Sequence, residues 1–491
     1  MKCLCPRDKG YDEACKISNA RFDHHPRRIC YCTNAGEVSA LIRDPEVRKL
    51  GVRIRSGGHQ HEGMCTANDV VLIDLSRINT IEYRVAEQRA WIGAGLSLKD
   101  VYARLWHNSY IFAGGGCGDV HVGGLTQGGG WGPQGRLYGL TCDSLVGVEM
   151  VAADGAIVTA TEEGTDKERG LLRALRGGGG GNFGVVTRYC FRLHRWLGDF
   201  TEFSLAWSDR TLPPERLDSF VLQWMKSFPR DQDLNLTTFL RLSALDEKGG
   251  DRVVIGGRYV GGRDQAKARV DALLAGQPRP EKEKYDLLPR TQAVAEAAEP
   301  NEGELALLRN ALGTLHGYQP GPAPVGAGEA QADPNLGDTC AGVPLRHKIS
   351  SGFVRRPFDP DLVRVATRFI VRGTPPPPDT RLYLSFHSLG GNMDRSGDDS
   401  SYAFRDRDVL LQFQAWWLPG ARDNDKVCID WIERFRKAMS FYTDGAFINF
   451  VDRDIPLEEY YKDKFHGLIE AKRTWDPDDL FKFEMSIPGR R

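Results

Sequence analysis

Hydrophobic and polar positions along the early part of the chain come in short bursts with the period of strands. The segments GVRIRS, DVVLIDL, AWIGAG, SLVGVEMVAADG and AIVTAT are apolar and β-branched and are bounded by Gly and Asp-Gly turns, which predicts strands. Between them the period becomes helical. Ser97-Leu-Lys-Asp100 ahead of VYARLW is a helix start, and Glu162 to Leu175 is an acidic-then-apolar stretch that predicts an amphipathic helix closed by the glycine run at Gly177. From about Arg27 to Thr159 the pattern is α+β.

After about Leu197 the texture changes. The alternating segments LNLTTFLRLSAL, RVVIGGRYVGG and RLYLSFHSLGG, with helices such as RDQAKARVDALLA between them, predict an antiparallel sheet covered on one face by helices. In Arg381 to Ser388 the alternation puts Tyr383, Ser385 and His387 on one face and Leu382, Leu384 and Phe386 on the other; in Val409 to Trp417 it puts Gln412 and Gln414 together. The inserts Tyr318 to Asn335 and Pro375 to Pro378 read as surface loops, the second in polyproline conformation. A helix is expected over Leu457 to Lys472, and WDPDDLFKFEMSIP after it is too apolar to be a free tail.

Composition narrows the function classes. The 491 residues hold 65 Lys+Arg against 66 Asp+Glu, a net charge of -1, so no global field favours nucleic acid or an anionic membrane. Hydrophobic residues at 41% and aromatics at 10% are ordinary for a soluble globular protein of this length, which is expected to form two domains or one large two-part domain. No long apolar run and no apolar leader stand in the sequence, so neither a spanning helix nor a signal peptide is read, and the expected location is cytoplasmic. Eleven Cys, an odd count spread along the chain, argues for free thiols and one specialised cysteine, with disulfides left open. Cys3, Cys5 and Cys15, or Cys30 and Cys32, lack a partner pair at zinc-finger spacing, so no metal is expected. The sequon at Asn235-Leu-Thr237 reads as a chance match.

Three segments hold more glycine than turns alone require: Arg55-Ser-Gly-Gly-His59, the stretch Gly114 to Gly135, and Arg176-Gly-Gly-Gly-Gly-Gly-Asn-Phe-Gly184. Successive Gly lets backbone N–H groups converge on phosphate and lets the chain lie against a planar ring, and a dinucleotide needs both. RGGGGGNFG sits between a helix and the strand VVTRYCF rather than in a repeated disordered tract, which argues against RNA binding. GLTQGGGWG lacks the G-x-G-x-x-G spacing and its following acidic residue, which argues against NAD.

RSGGHQHEG (Arg55 to Gly63), GGGCGDVHVGG (Gly114 to Gly124), GGGWGPQGRLYGLTCDSL (Gly128 to Leu145), RGGGGGNFGVVT (Arg176 to Thr187) and the terminal INFVD with WDPDDLFKFEMSIP together resemble the berberine-bridge-enzyme-like branch of the vanillyl-alcohol-oxidase / p-cresol methylhydroxylase flavoprotein superfamily. The motifs stand in family order along nearly the whole chain. The resemblance implies a two-part FAD-binding domain of the PCMH type over 1–196, a substrate-binding domain over 197–431, and a C-terminal segment, 432–491, that returns to the FAD domain. It implies FAD joined covalently through His59 and through Cys117, since a neutral imidazole and a thiolate are nucleophilic enough to add to an electron-poor flavin. Arg55, Ser56, Gly57 and Gly58, with Gly123, Gly124 and Gly128, are implied at the pyrophosphate and ribityl chain, and Gly184 and Val186 near the adenine. Val120 falls where relatives control oxygen access to the ring, and Asn449 where they hydrogen-bond the flavin.

The departure is at the end of the family's terminal Y-x-N-Y strand, where this chain reads Phe447-Ile-Asn449-Phe450 and a phenyl ring stands in place of a base. Proton removal is then assigned to His387, whose imidazole titrates in the right range, with Tyr138, Gln414 and Tyr383 as the other catalytic candidates. The reading is an oxidase acting on an alcohol-type C–H of a bulky saccharide or secondary metabolite, with dioxygen as acceptor and hydrogen peroxide as product. The alternatives are oxidative cyclisation or desaturation of a natural product, which Phe450 permits, and an inactive flavin-carrying homologue.

Overall fold

The computed structural model describes residues 1–196, 198–228, 233–245, 249–288, 345–394 and 399–489. Their strands are, in chain order, Lys2–Leu4 (β1), Arg28–Tyr31 (β2), Val52–Arg55 (β3), Val71–Asp74 (β4), Ile81–Arg84 (β5), Arg89–Gly93 (β6), Tyr110–Ile111 (β7), Leu145–Val151 (β8), Ile157–Thr161 (β9), Val185–Arg192 (β10), His194–Arg195 (β11), Phe200–Trp207 (β12), Leu236–Ala244 (β13), Val253–Val260 (β14), Lys282–Leu288 (β15), Arg346–Val354 (β16), Thr380–Ser388 (β17), Val409–Trp417 (β18) and Thr443–Asp444 (β19). They form a small sheet in the order β1-β2-β4-β3, with β2 and β3 parallel to β4, and an antiparallel sheet β5-β6-β10-β8-β9. β7 and β11 pair as a two-stranded antiparallel ribbon, and the largest sheet is antiparallel, in the order β15-β12-β14-β13-β17-β18-β16-β19. The fold is α+β: two small sheets make one unit, and the large sheet with its helices makes the other.

The five early strands expected from alternation all form, as β3, β4, β6, β8 and β9. Ser97 caps the helix Leu98–His107 by accepting from the Asp100 N–H at 3.3 Å. The helix expected from Glu162 begins only at Asp166, because Gly164 turns the chain back on Thr161 and Thr165 with Glu168 forms a reciprocal capping box there.

The large sheet has two unlike faces. Leu382, Leu384 and Phe386 of β17 and Leu411, Phe413 and Ala415 of β18 enter a core roofed by the helices Leu217–Lys226, Asp361–Arg372 and Asp425–Met439. On the other face β17 presents Tyr383, Ser385 and His387, with Gln414 across from Tyr383 and Gln412 across from Ser385. The period-two reading of both strands is correct, and the polar face is the one turned towards the first unit.

The boundary expected at 431/432 falls inside the helix Asp425–Met439, whose Trp431, Ile432 and Phe435 pack in the large sheet's core; β19 then pairs with β16, so the second unit runs on to Asp444. From there the chain returns, burying Tyr460, Leu468, Trp475, Phe481 and Ile487 in the first unit's core. The single helix expected over Leu457 to Lys472 is broken at Lys462, where φ is 48°, into Glu458–Tyr461 and Phe465–Trp475. Cys3 and Cys30, cross-strand partners in β1 and β2, form a disulfide, a pairing that the sequence left open. The insert from Tyr318 to Asn335 lies outside the described residues. Among the described residues no cluster of metal ligands occurs, and no helix is long and apolar enough to cross a membrane.

The end of the returning segment is pinned by a buried ammonium. Lys472, fully enclosed, donates to Asp476 Oδ2 at 2.7 Å and to the carbonyls of Asn182 and Phe481 at 3.0 and 2.8 Å, which ties the last helix to the third glycine run. Asp479 Oδ1 stands 3.3 Å from the same ammonium but is partly exposed, so removing Asp476 leaves Lys472 only a longer, less buried partner; stranding a buried charge outright costs about 3–5 kcal/mol, the upper bound here. Asp476→Ala is therefore expected to lower the thermal midpoint by well over the shift of a surface Asp→Ala control, measured by differential scanning calorimetry; equal shifts would show that Lys472 does not depend on its carboxylate.

Candidate functional site

The first glycine segment leaves the end of β3 through Arg55. Its Nε donates to Asp74 Oδ2 at 2.7 Å at the end of β4, a buried bond, and its Nη1 donates to the Ala14 carbonyl at 2.8 Å, a partly buried one. Arg55 is thus a brace for the loop and stands off the cleft. Gly58 adopts φ 72°, and a Cβ on Gly57 would lie 2.6 Å from the His121 ring, so this loop needs glycine at both places. The resulting turn delivers His59 and His61 to the cleft wall.

The second segment enters the helix Val122–Gln127, and the third is fastened to that helix because the N–H groups of Gly177 and Gly179 donate to the Gln127 carbonyl at 3.1 and 2.9 Å. Asn449 closes the arrangement: it accepts from the Gly130 N–H at 2.9 Å, and its amide occupies the space a Cβ on Gly128 would need. The turn bearing Asn449 is a 3₁₀ turn, Ile448–Phe450, rather than the expected strand, and it hangs from β16 where the Phe447 N–H donates to Ser351 Oγ at 2.9 Å.

These segments enclose one cleft with ≈ 2000 Å³ of atom-free space, mouth included. Of the residues expected at a cofactor, Ser56, Gly57, Gly58, His59, Cys117, Val120, Gly123, Gly124, Gly128, Gly184, Val186 and Asn449 all line it, as does His387. A Cβ added to Gly116 or Gly124 would meet no protein atom within 4 Å, so these glycines are bare towards the cleft and not because the protein crowds them. Two enclosed polar atoms of the same region, His121 Nδ1 and Gln127 Oε1, have no partner among the described residues. Bare backbone beside unpartnered polar atoms fits a large, flat, phosphate-bearing cofactor such as FAD.

Three of the catalytic candidates are placed elsewhere. Tyr138 is off the cleft: its ring packs 4.9 Å from His194, and burial pushes its phenol up to about 12. Tyr383 and Gln414 bond each other at 3.0 Å inside the sheet face, where the Trp416 Nε1–H also donates to Gln414 Oε1 at 3.1 Å. The glutamine that reaches the cleft is Gln412, two residues earlier, because its partner across β17 is Ser385 and its side chain leans to His387. His387 Nε2 lies 2.9 Å from Gln412 Oε1, so it is the N–H of that ring, while Nδ1 is enclosed without a partner among the described residues. Trp131 packs 4.3 Å from the same imidazole, and Phe450 lies 6.0 Å from it. Cleft-wall residues that sequence patterns did not single out include Trp131, Trp416 and His61. The signal for His61 was only its place two residues after His59.

Burial sets the charge state of these imidazoles. It lowers His59 to about 4, with His121 adding to the effect, and lowers His61 and His387 to about 4 as well. All three are neutral near neutral pH. Cys117 also lines the cleft, and the structure holds it in a disulfide, a use of sulfur that excludes a thioether on the same atom.

Residues 26–161 match the family model described as FAD binding domain, and residues 446–488 match the model described as berberine and berberine like. The uncharacterized FAD-linked oxidoreductase YgaK of Bacillus subtilis is 27% identical over 496 residues, covering 99% of this chain and 96% of the relative. Berberine bridge enzyme-like 21 of Arabidopsis thaliana is 25% identical over 506 residues, covering 96% and 86%. Among solved structures, BBE-like 1 of Physcomitrella patens shares the fold with a TM-score of 0.81 at 22% identity, covering 100% of this chain and 97% of that one. Berberine bridge enzyme from Eschscholzia californica does so with a TM-score of 0.79 at 21% identity, covering 99% and 96%.

The lowered histidines carry a sign for stability. The unfolded chain takes up protons near 6.5, whereas buried His61 and His387 take them up only near 4, so the native state loses stability as pH falls through that window. The thermal midpoint is expected to drop between pH 6.5 and 4, and to drop less in His387→Phe; identical slopes in the variant and the parent would show that His387 is not desolvated.

Proposed function

The chain belongs to the berberine-bridge-enzyme-like FAD-linked oxidoreductases, and from that premise we propose that it is an oxidase whose FAD is fastened by both His59 and Cys117. The observation that carries the reading is the delivery of His59 and Cys117, from separate glycine-rich loops, to the wall of one cleft. Bound FAD would supply a hydride acceptor that dioxygen can re-oxidise with formation of hydrogen peroxide. The chain's own part is to hold, orient and keep dry. His59 is kept neutral by burial and so offers a nucleophilic lone pair. Cys117 offers its sulfur only as a thiol, so on this reading the flavin attachment replaces its disulfide.

Asn449 keeps the glycine loops at ring-accepting spacing, and Val120 stands in the second loop where oxygen access is set. The substrate's end of the cleft is walled by Trp131, Trp416 and Phe450, with His387 and Gln412 as polar points. Flat aromatic walls with few polar groups favour a planar aromatic or polycyclic alcohol over a saccharide, whose hydroxyls would go unpaired. Phe450 in place of a phenol also supports a second reading, oxidative ring closure or desaturation, which would show as a new ring or double bond rather than a new carbonyl in the product.

Peptide mass mapping of the yellow holoprotein is expected to find one flavin bridging the His59 and Cys117 peptides, and flavin retained by the chain in Cys117→Ala. A Cys117 peptide still disulfide-linked in yellow protein would reduce the attachment to His59 alone, and flavin lost on acid precipitation would remove both. Mixed anaerobically with benzylic, cinnamyl and polycyclic alcohols and with oligosaccharides, the holoenzyme is expected to bleach with the aromatic set. Bleaching by none of them would favour a flavin-carrying homologue without oxidase activity.

A further inference from the structure

Beside the aromatic wall, two imidazoles from distant parts of the chain meet. His61 Nδ1 lies 3.0 Å from His347 Nε2, with the rings edge to face at 5.1 Å. His347, on β16, is immobilised: its ring packs 4.3 Å from Trp416, its backbone N–H donates to Asn19 Oδ1 at 3.1 Å, and its backbone carbonyl accepts from Asn19 and Arg21 at 3.0 and 2.8 Å. His61 is half-buried on the cleft wall, with its ring 6.2 Å from Phe450, the residue standing where the family resemblance puts a phenol. The nitrogen of His387 that could accept a proton is enclosed, and its other nitrogen is engaged by Gln412; the Nε2 of His61 is neither enclosed nor engaged among the described residues.

We propose that His61 takes the substrate's hydroxyl proton at Nε2 and that His347 is the positioning residue that makes this nitrogen the free one. The proposal rests on the oxidase reading above. In the step, the substrate C–H bond breaks and its electron pair leaves as hydride for the bound FAD. The O–H bond breaks, its electron pair becomes the second C–O bond of a carbonyl, and the proton forms a new N–H bond on His61. Once protonated, His61 carries N–H at both nitrogens, and its Nδ1–H has an acceptor only if His347 Nε2 holds a lone pair. His347 must then carry its own proton on Nδ1, an enclosed atom with no hydrogen-bond partner among the described residues, so this tautomer is set by the His61 contact alone.

The surroundings suit a neutral pair. Burial lowers His61 to about 4 and lowers His347 well below 6.5. The groups facing the pair are His59 on the same loop and Arg21, whose charge opposes protonation of His347. Glu62, next along the loop, is taken up by Lys348 at 2.9 Å, Arg453 at 2.9 Å and Arg21 at 3.9 Å, so it offers the pair little net negative charge. Asp452 and Asp454 are held by the same Lys348, and Asp425 by Arg346.

The test begins with the resting holoenzyme labelled with ¹⁵N-histidine, its His61 signals assigned by their loss in His61→Gln. At pH 7 the expected spectrum shows His61 neutral, with Nδ1 protonated and Nε2 unprotonated. His347→Phe is expected to shift the His61 proton onto Nε2, and His347→Gln, which keeps an acceptor, to leave it on Nδ1. A parent His61 with its proton on Nε2, or one indifferent to His347→Phe, overturns the proposal without reference to any substrate. With whichever aromatic alcohol bleaches the parent, His61→Gln is expected to slow bleaching by about 10²- to 10⁴-fold, with partial recovery in added imidazole; unchanged bleaching also overturns it. Should no alcohol bleach the parent, the oxidase reading fails while the spectra still decide the tautomer.

Discussion

One buried ammonium sets where everything at the cleft can be. Lys348, on β16, reaches Glu62 at 2.9 Å, Asp452 at 2.6 Å and Asp454 at 2.9 Å. Burial alone would lower its pKa, but Asp452 and Glu62 outweigh that and hold it raised, so the charge stays. A charge taken this far out of water survives only with partners in fixed positions. Glu62 belongs to the loop of His59 and His61, Lys348 to the large sheet, and Asp452 to the returning segment that begins with Asn449 and Phe450. Three pieces of chain that no local rule brings together are therefore registered against one another, and the cleft is the space left between them.

What could be read from the amino-acid sequence follows from where the signals are local. The strands β3, β4, β6, β8 and β9 alternate or run apolar between glycine turns, and the two faces of β17 and β18 follow from the pleat, because one face packs on helices and the other does not. The glycine runs were legible because bare backbone is itself chemistry. β16 was not legible. Its sequence RHKISSGFV presents His347, Lys348 and two serines among its apolar residues, so it has no apolar period to find, although every one of its residues is buried. The pair His61 and His347 spans 286 positions, and no spacing rule reaches across that distance.

Residue by residue, the errors were of register and of partner. Gln412 rather than Gln414 reaches the cleft because the pairing of β17 with β18 sets Gln412 against Ser385, one step from His387, while Gln414 is consumed by Tyr383 and Trp416. Tyr138 follows a helical turn that carries its ring to His194, away from the cleft. The terminal motif keeps its asparagine, which has a backbone to hold, and replaces its phenol by Phe450, which packs 5.2 Å from Phe447 as a wall. The chemistry lost at one position leaves an imidazole pair a few ångströms away as the group still able to move a proton.

The return of the chain to the first unit has a consequence for biogenesis. Asn449, Phe450, Phe481, Phe483 and Met485 wall the cleft, yet they are among the latest described residues to leave the ribosome, long after the glycine loops they face. A nascent chain can fold its early sheets and still offer the cofactor only a half-open groove. The cleft's walls are thus complete only once the last segment has packed back on the first unit, so the site is among the last features of the fold to form.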